Sequence, residues 1–248
     1  MFEVKSPLTY YPMTVGDYTL KHTKQKSSFG LFEKNAPWMG YNYDNHWQAR
    51  EFYFELQLAK GVCITTGLGL GILQTNLCLN DDVSKVIVYE KSNDVVDIFH
   101  KTIEKNNFDI SKIEIRIGDA DSLANEKCDC LFPDHFDSEP EEHVVRVVKE
   151  LSENNQAGVV WYWPAGVHLH KFLISKELEI NNDSYEKWKK HTGITNLPNI
   201  TDDSVFDYFK ELKNIYQNDA DAPGPKLEIN YVEKTVERRK KLQGLYKK

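Results

Sequence analysis

The chain has 248 residues, with 31 Lys and Arg against 38 Asp and Glu, which gives a formal net charge of −7. This acidic balance argues against a broad face for duplex DNA, which needs many cations against the phosphates. Hydrophobic residues make up 40% of the chain, so one α/β domain with appendages can bury a substantial core. No secretory signal or membrane span is visible, and the four cysteines fit a reducing, cytoplasmic setting.

Residues 1–55 are predicted to form a small β-rich and helical N-terminal segment. Three β-type stretches separated by polar turns indicate an antiparallel sheet or hairpin. These stretches are residues 10–12, 18–20 and 29–32. A helix is then predicted over residues 45–59, with Asp44 as its N-cap.

The most informative stretch is a buried strand predicted at residues 62–66, which runs into a turn with glycines at alternate positions. The glycines are Gly67, Gly69 and Gly71. Glycine lets the backbone turn sharply and come close to a ligand, and the helix that follows would point free N–H groups at it. The spacing is not the G-x-G-x-x-G of nicotinamide folds. The motif alone fits a tight strand–helix turn without a ligand equally well.

Further predicted strands follow at intervals, and several end in acidic residues. They are residues 86–90, 113–117, 128–132 and 159–163. Glu90 lies 23 positions after Gly67, close to the interval of about 20 residues at which an acidic side chain meets ribose hydroxyls. Asp119 and Asp134 follow the next two strands. Helical patterns between the strands predict a Rossmann-like, doubly wound, mostly parallel sheet with the first strand near its centre.

These motifs, in this order, resemble those of class I S-adenosylmethionine-dependent methyltransferases over roughly residues 60–165. The layout is most similar to the spermidine synthase-like branch, in which a β-rich segment precedes the glycine strand and the fourth strand ends in Asp-x-x-Asp. Here that motif is Asp134-x-x-Asp137. The Gly-Leu-Gly-Leu-Gly form also resembles small methyltransferase-like proteins often carried by phages.

The resemblance implies S-adenosylmethionine, or its decarboxylated form, as the cofactor. The glycine-turn amides would meet the amino-acid end of this cofactor. Glu90 would accept hydrogen bonds from the ribose hydroxyls. Asp119 would accept from the adenine amine, and the backbone N–H of Ala120 would contact the base.

The catalytic candidates implied by the resemblance are Asp134, Asp137 and His135. A carboxylate where the transferred group meets the acceptor can hold a cationic amine or take its proton. The alternatives are that the two aspartates cap a loop and that the histidine is a surface residue. No metal site is expected, because the spacing of His168-x-His170 relative to Asp134 is unspecific.

Two positions depart from the family patterns and keep three hypotheses open. Thr65 stands where an acidic residue usually precedes the first glycine, and Leu70 stands where aminopropyltransferases place an aspartate. The hypotheses are a methyltransferase with a small-molecule or protein acceptor, a polyamine aminopropyltransferase, and a non-catalytic nucleotide-binding module. The Asn-Pro-Pro-Tyr motif of base-amino methyltransferases is absent from the sequence, which argues against DNA methylation. A nucleic-acid partner is not expected. We expect no membrane partner, and a homo-oligomer is left open.

The remainder of the chain is predicted to be a cofactor-binding core over residues 56–175 and a helical C-terminal extension over residues 176–248. An amphipathic helix is predicted at residues 202–218. The basic tail at residues 238–248 is interpreted as a solvated end.

Overall fold

The structure is a computed structural model that describes residues 4–23, 27–44, 46–120, 123, 125–136 and 139–218. The chain divides into two compact units. The first comprises Met1–His135 with Glu150–Tyr162, and the second comprises Phe136–Lys149 with Trp163–Lys248. The domain limits predicted after residues 55 and 175 stay a prediction. The basic tail lies outside the described residues.

The predicted antiparallel sheet in the N-terminal segment is confirmed. Its strands, in spatial order, are β1 (Met13–Val15), β2 (Tyr18–His22), β3 (Ser28–Glu33) and β4 (Ala36–Asn42). Two-residue turns join β1 to β2 and β3 to β4, with positive φ at Gly16, Lys34 and Asn35, as tight hairpins require. Leu20 and Leu31 face each other across β2 and β3, and both are fully buried.

The strand predicted at residues 10–12 is wrong. The backbone N–H of Tyr10 donates to the hydroxyl of Tyr43 at 2.8 Å, not to a neighbouring strand. Pro12 has no N–H to offer a ladder. Tyr10 is instead a core residue of this segment, only 3% exposed.

The single helix predicted at residues 45–59 is two short helices, α1 (Trp47–Glu51) and α2 (Tyr53–Leu58), separated at Phe52. Asp44 does not cap the first one. Its carboxylate accepts a hydrogen bond from the hydroxyl of Ser27. The N-cap is His46, which adopts a left-handed conformation and makes no side-chain capping bond.

The predicted doubly wound parallel sheet is confirmed. Its strands are β5 (Gly61–Thr66), β6 (Val83–Glu90), β7 (Ile113–Ile117), β8 (Cys130–Pro133) and β9 (Val159–Val160). All pair in parallel in the order β7-β6-β5-β8-β9, so the first strand is central as predicted. Strand β7 lies at one edge of the sheet and is only partly buried, with Ile117 52% exposed. The last strand is two residues long, not five.

Six longer helices accompany the strands in the described part of the chain. They are α3 (Ile72–Leu79), α4 (Asn93–Asn106), α5 (Glu141–Asn154), α6 (Ala165–Ser175), α7 (Asn182–Thr192) and α8 (Ser204–Asn218). The N-cap of helix α4 is Ser92, whose side chain accepts from the N–H of Val95. None of the described helices is long and apolar enough to cross a membrane.

Helix α4 also holds the N-terminal segment in place. The Asn106 side chain exchanges two hydrogen bonds of 2.8 Å with the backbone of Thr9. At the other end of the helix, the N–H of Asp17 donates to the carboxylate of Asp94 at 3.2 Å. The N-terminal segment is therefore bonded to helix α4 at two points, one before β1 and one in the β1–β2 turn.

The second unit has a core of large aromatic side chains, among them Tyr185, Trp188 and Phe209. His170 belongs to this core, and its Nε2 lies 2.9 Å from the carbonyl oxygen of Phe209. Burial lowers the pKa of the neighbouring His168 to about 3. These histidines are packing residues, and the described residues include no cluster of His, Cys, Asp and Glu fit to hold a metal ion.

Candidate functional site

The glycine turn joins the central strand β5 to helix α3. Gly67, Gly69 and Gly71 all have positive φ, of 81°, 52° and 74°, a region that other residues enter only at a cost. A Cβ atom added to Gly67 would lie 2.5 Å from the carbonyl oxygen of Asp134. The turn and the loop after β8 are therefore in backbone contact, which only glycine permits at this position.

The register of the sheet brings the three predicted cofactor loops to one edge. Thr66, the last residue of β5, pairs with Tyr89 of β6, and Glu90 pairs with Ile117 of β7. The glycine turn, Glu90 and the loop that carries Asp119 therefore begin at the same level. Ligands of open parallel sheets bind outside this carboxyl edge.

The carboxylate of Glu90 is built into this edge. It is 8% exposed, and its two oxygens accept from the backbone N–H groups of Leu68, at 2.9 Å, and Ser92, at 2.8 Å. A carboxylate oxygen has two lone pairs, so each can also accept a ribose hydroxyl. The turn and the start of α4 thus fix the orientation of the Glu90 carboxylate, and its contact with ribose hydroxyls stays a prediction.

Asp119 and Ala120 follow β7 at the same edge. Asp119 is exposed, whereas Ala120 is 6% exposed. Gly118, just before them, donates its N–H to the carbonyl oxygen of Glu90 at 3.0 Å. The fold therefore places both residues beside Glu90. Their contacts with an adenine ring stay a prediction.

The loop after β8 carries Asp134 and His135 and is anchored to Thr66. The N–H of Asp134 reaches both the carbonyl oxygen of Thr66, at 3.0 Å, and its hydroxyl oxygen, at 3.2 Å. The same hydroxyl is hydrogen-bonded to Nδ1 of His135 at 2.5 Å. Asp137, the third catalytic candidate, lies outside the described residues.

Two carboxyl groups that the sequence analysis missed lie near Asp134: Glu51 at the end of α1 and Glu55 in α2. Glu55 is 4% exposed, and its Oε2 has no hydrogen-bond partner within the described parts of the chain. Burial, followed by the negative charge of Glu51, raises the pKa of Asp134 well above its usual range. Burial, and then Asp134 and Glu51, raise the pKa of Glu55 likewise. We call these three residues the carboxyl cluster.

A helical pattern could have revealed Glu55. It lies three residues after Phe52 and four residues before Ala59, and both of these are buried. A helical position between two core residues is a core position. An ionisable group there needs either a partner or a functional reason.

Thr65, which stands in place of the usual acidic residue, is fully buried and has an internal partner. Nε2 of Gln74 donates to its hydroxyl oxygen at 3.1 Å and to the carbonyl oxygen of Gly67 at 2.9 Å. Position 65 thus supports the turn through helix α3. A hydrogen bond between two neutral side chains, Gln74 and Thr65, thus stands where the family pattern has an acidic residue.

Comparison with known proteins finds no matching family model and no matching curated protein. Among solved structures, spermidine synthase from Thermotoga maritima is 17% identical, with 61% of this chain and 55% of that chain covered and a TM-score of 0.42. A spermidine synthase bound to the transition-state analogue AdoDATO is 16% identical, with 61% and 56% covered and a TM-score of 0.44. An S-adenosylmethionine-dependent methyltransferase from Clostridium acetobutylicum is 13% identical, with 47% of each chain covered and a TM-score of 0.34. The chain spans about half the length of these structures.

Proposed function

We propose that this chain is a transferase that binds S-adenosylmethionine, or its decarboxylated form, at the carboxyl edge of the parallel sheet. The single observation that carries this proposal is the alignment of the glycine turn, Glu90 and Asp119 at one level of three adjacent strands. Methyl transfer to a small-molecule or protein acceptor is the first candidate reaction. The cofactor's sulfonium would supply the transferable carbon and accept the electron pair of the broken C–S bond.

The residues of this chain would bind and orient the cofactor and would take a proton from the acceptor. Glu90 would hold the ribose hydroxyls, because its oxygens are already aimed by the N–H groups of Leu68 and Ser92. Asp134 is held against the glycine turn by its contact with Gly67 and its bonds to Thr66. A carboxyl group held in one place beside the proposed cofactor site would contribute to the reaction by proximity and orientation.

The carboxyl cluster supports a cationic amine as the acceptor. Glu55 is buried, and one of its oxygens has no hydrogen-bond partner among the described residues. Burial first, and then the nearby carboxyl groups of Asp134 and Glu51, raise its pKa. A protonated amine would neutralise these groups and donate to them. The amine nitrogen must lose a proton as it forms the new N–C bond, and a carboxylate with a raised pKa is a stronger general base for that proton.

Aminopropyl transfer to a polyamine is the second candidate, and the carboxyl cluster is the observation that favours it. The two reactions differ in the cofactor, so turnover separates them. Purified protein is incubated with putrescine and other amines, together with either S-adenosylmethionine or its decarboxylated form. Turnover only with the decarboxylated cofactor identifies aminopropyl transfer, and turnover only with S-adenosylmethionine excludes it.

Calorimetry with S-adenosylhomocysteine tests the cofactor site. A carboxylate hydrogen bond contributes about 1.5–3 kcal/mol, so Glu90→Ala should weaken binding roughly ten- to a hundredfold. Glu104→Ala, which removes an exposed carboxylate from helix α4, is the matched control and should bind like the wild type. No binding by the wild type at millimolar ligand, or equal binding by Glu90→Ala, would refute the proposal.

A further inference from the structure

One side chain of the antiparallel sheet lies directly over the glycine turn. The sulfur of Met39, in β4, accepts a hydrogen bond from the backbone N–H of Leu70 at 3.1 Å. A Cβ atom added to Gly69 would overlap this sulfur. The absence of a side chain at position 69 is therefore what lets Met39 reach the turn.

The neighbours of Met39 fix this contact. The hydroxyl of Tyr10 donates to the carbonyl oxygen of the same Leu70 at 3.2 Å. In β4, Tyr41 is 1% exposed, and its hydroxyl accepts from the N–H of Ser6 at 2.9 Å. Met39 therefore sits on a strand that pairs with β3 and is held to Ser6 through Tyr41, and it covers the turn as part of the folded segment.

This arrangement leaves few turn amides for an anion. The N–H of Leu68 donates to the carboxylate of Glu90 at 2.9 Å, and the N–H of Leu70 donates to Met39. Backbone N–H groups at a turn before a helix are the usual receptors of a ligand's negative charge. A thioether is only a weak acceptor, so a carboxylate can compete for the Leu70 amide if it moves the methionine aside.

We infer that Met39 is a specificity-determining residue, whose thioether competes with the α-carboxylate of an adenosyl amino-acid ligand for the N–H of Leu70. The inference rests on the proposed function, because it assumes an adenosyl ligand at the turn. Ligands with the carboxylate must displace Met39, whereas ligands without the amino-acid end need not. The side chain thus lowers the affinity for the first class only.

Calorimetry with two ligands tests this role. S-adenosylhomocysteine carries the carboxylate, and methylthioadenosine lacks the whole amino-acid end. Met39→Ala should strengthen S-adenosylhomocysteine binding about tenfold, since a charge-assisted bond replaces a weak one and a factor of ten equals about 1.4 kcal/mol. Methylthioadenosine should bind within about twofold of its wild-type affinity.

Two further variants complete the test. Met39→Leu keeps the bulk over the amide and should stay within about threefold of the wild type for both ligands. Met13→Ala, in β1 of the same sheet, should change neither affinity. The ratio of the two affinities is measured within each variant, so a general loss of folded protein does not affect it.

The outcomes separate the two proposals. If Met39→Ala leaves the ratio unchanged, or if both ligands gain equally, the role of Met39 is refuted while the adenosyl site stands. If neither the wild type nor Met39→Ala binds either ligand, the proposed function fails and the inference fails with it.

Discussion

Replacing Glu55 with methionine should make the protein more stable at neutral pH. Glu55 is 4% exposed, and its Oε2 has no hydrogen-bond partner in the described residues. Burial first, and then the charges of Asp134 and Glu51, raise its pKa well above the usual range. Methionine has a similar length and no charge, so it removes the cost of burying the carboxyl group and keeps most of the packing.

The sign of the pH dependence follows from the raised pKa. Below the unfolded-state pKa of about 4.3, Glu55 is protonated and neutral in both the folded and the unfolded state, so its ionisation does not lower the free energy of unfolding. As the pH rises towards the folded-state pKa, the unfolded chain releases the proton first, so stability is lost. An unsatisfied buried polar group costs about 1–3 kcal/mol, and a charged one costs more. Glu55→Met should therefore gain about 1–3 kcal/mol at about pH 8, or roughly 2–12 °C in Tm.

Thermal unfolding followed by circular dichroism at about pH 5 and about pH 8 measures this effect. Glu55→Gln removes the titration but leaves an unpaired polar group, so it should flatten the pH dependence with a smaller gain. Glu104→Gln, at an exposed position of α4, should stay within about 0.5 kcal/mol of the wild type. The explanation is refuted if Glu55→Met melts below the wild type at the higher pH, or if Glu55→Gln keeps the wild-type pH dependence.

Two further substitutions probe the glycine turn and the loop after β8. Gly67→Ala should lower the free energy of unfolding by about 2 kcal/mol or more in denaturant, because its φ is 81° and the new Cβ would meet the carbonyl of Asp134. Gly118→Ala is the control, since its added Cβ would have no heavy atom within 4 Å, and it should cost less than half as much. Equal losses of stability in the two variants would contradict this explanation. Thr66→Val should lower turnover at least tenfold, while the affinity for S-adenosylhomocysteine stays within about twofold. The substitution removes the hydrogen bond to His135 and leaves Glu90 in place. An equal loss of affinity would assign Thr66 to the cofactor site instead.

The inner strands of the parallel sheet could be predicted because they are short apolar runs that end in, or are followed by, glycine or acidic residues. Strand β7 matches its predicted limits, and β5 differs from its prediction by one residue. Such runs are governed by local sequence, since a buried strand needs apolar side chains on both faces. The order of Glu90 and Asp119 along the edge then follows from the order of the strands.

The contacts within the carboxyl cluster and the contact of Met39 could not be predicted in the same way, because they depend on how the N-terminal segment packs. Glu51 and Glu55 meet Asp134 only after the helices of that segment lie against the sheet. Met39 reaches Leu70 across 31 positions of the sequence. No periodicity encodes either contact. The N-cap predicted at Asp44 is wrong for a related reason, since the carboxylate of Asp44 accepts from the Ser27 hydroxyl in the folded chain.

Helix α4 connects the β1–β2 hairpin to Glu90 at the carboxyl edge of the parallel sheet. Its N-cap residue Ser92 donates its N–H to Glu90, and its first turn holds the N–H of Asp17 through Asp94. A ligand that immobilises Glu90 restrains the start of this helix as well. The exchange of the Asp17 amide with heavy water should then slow on ligand binding, although that amide lies outside the glycine turn. A single protected peptide from the N-terminal segment would thus reveal occupancy without a chemical label on the ligand.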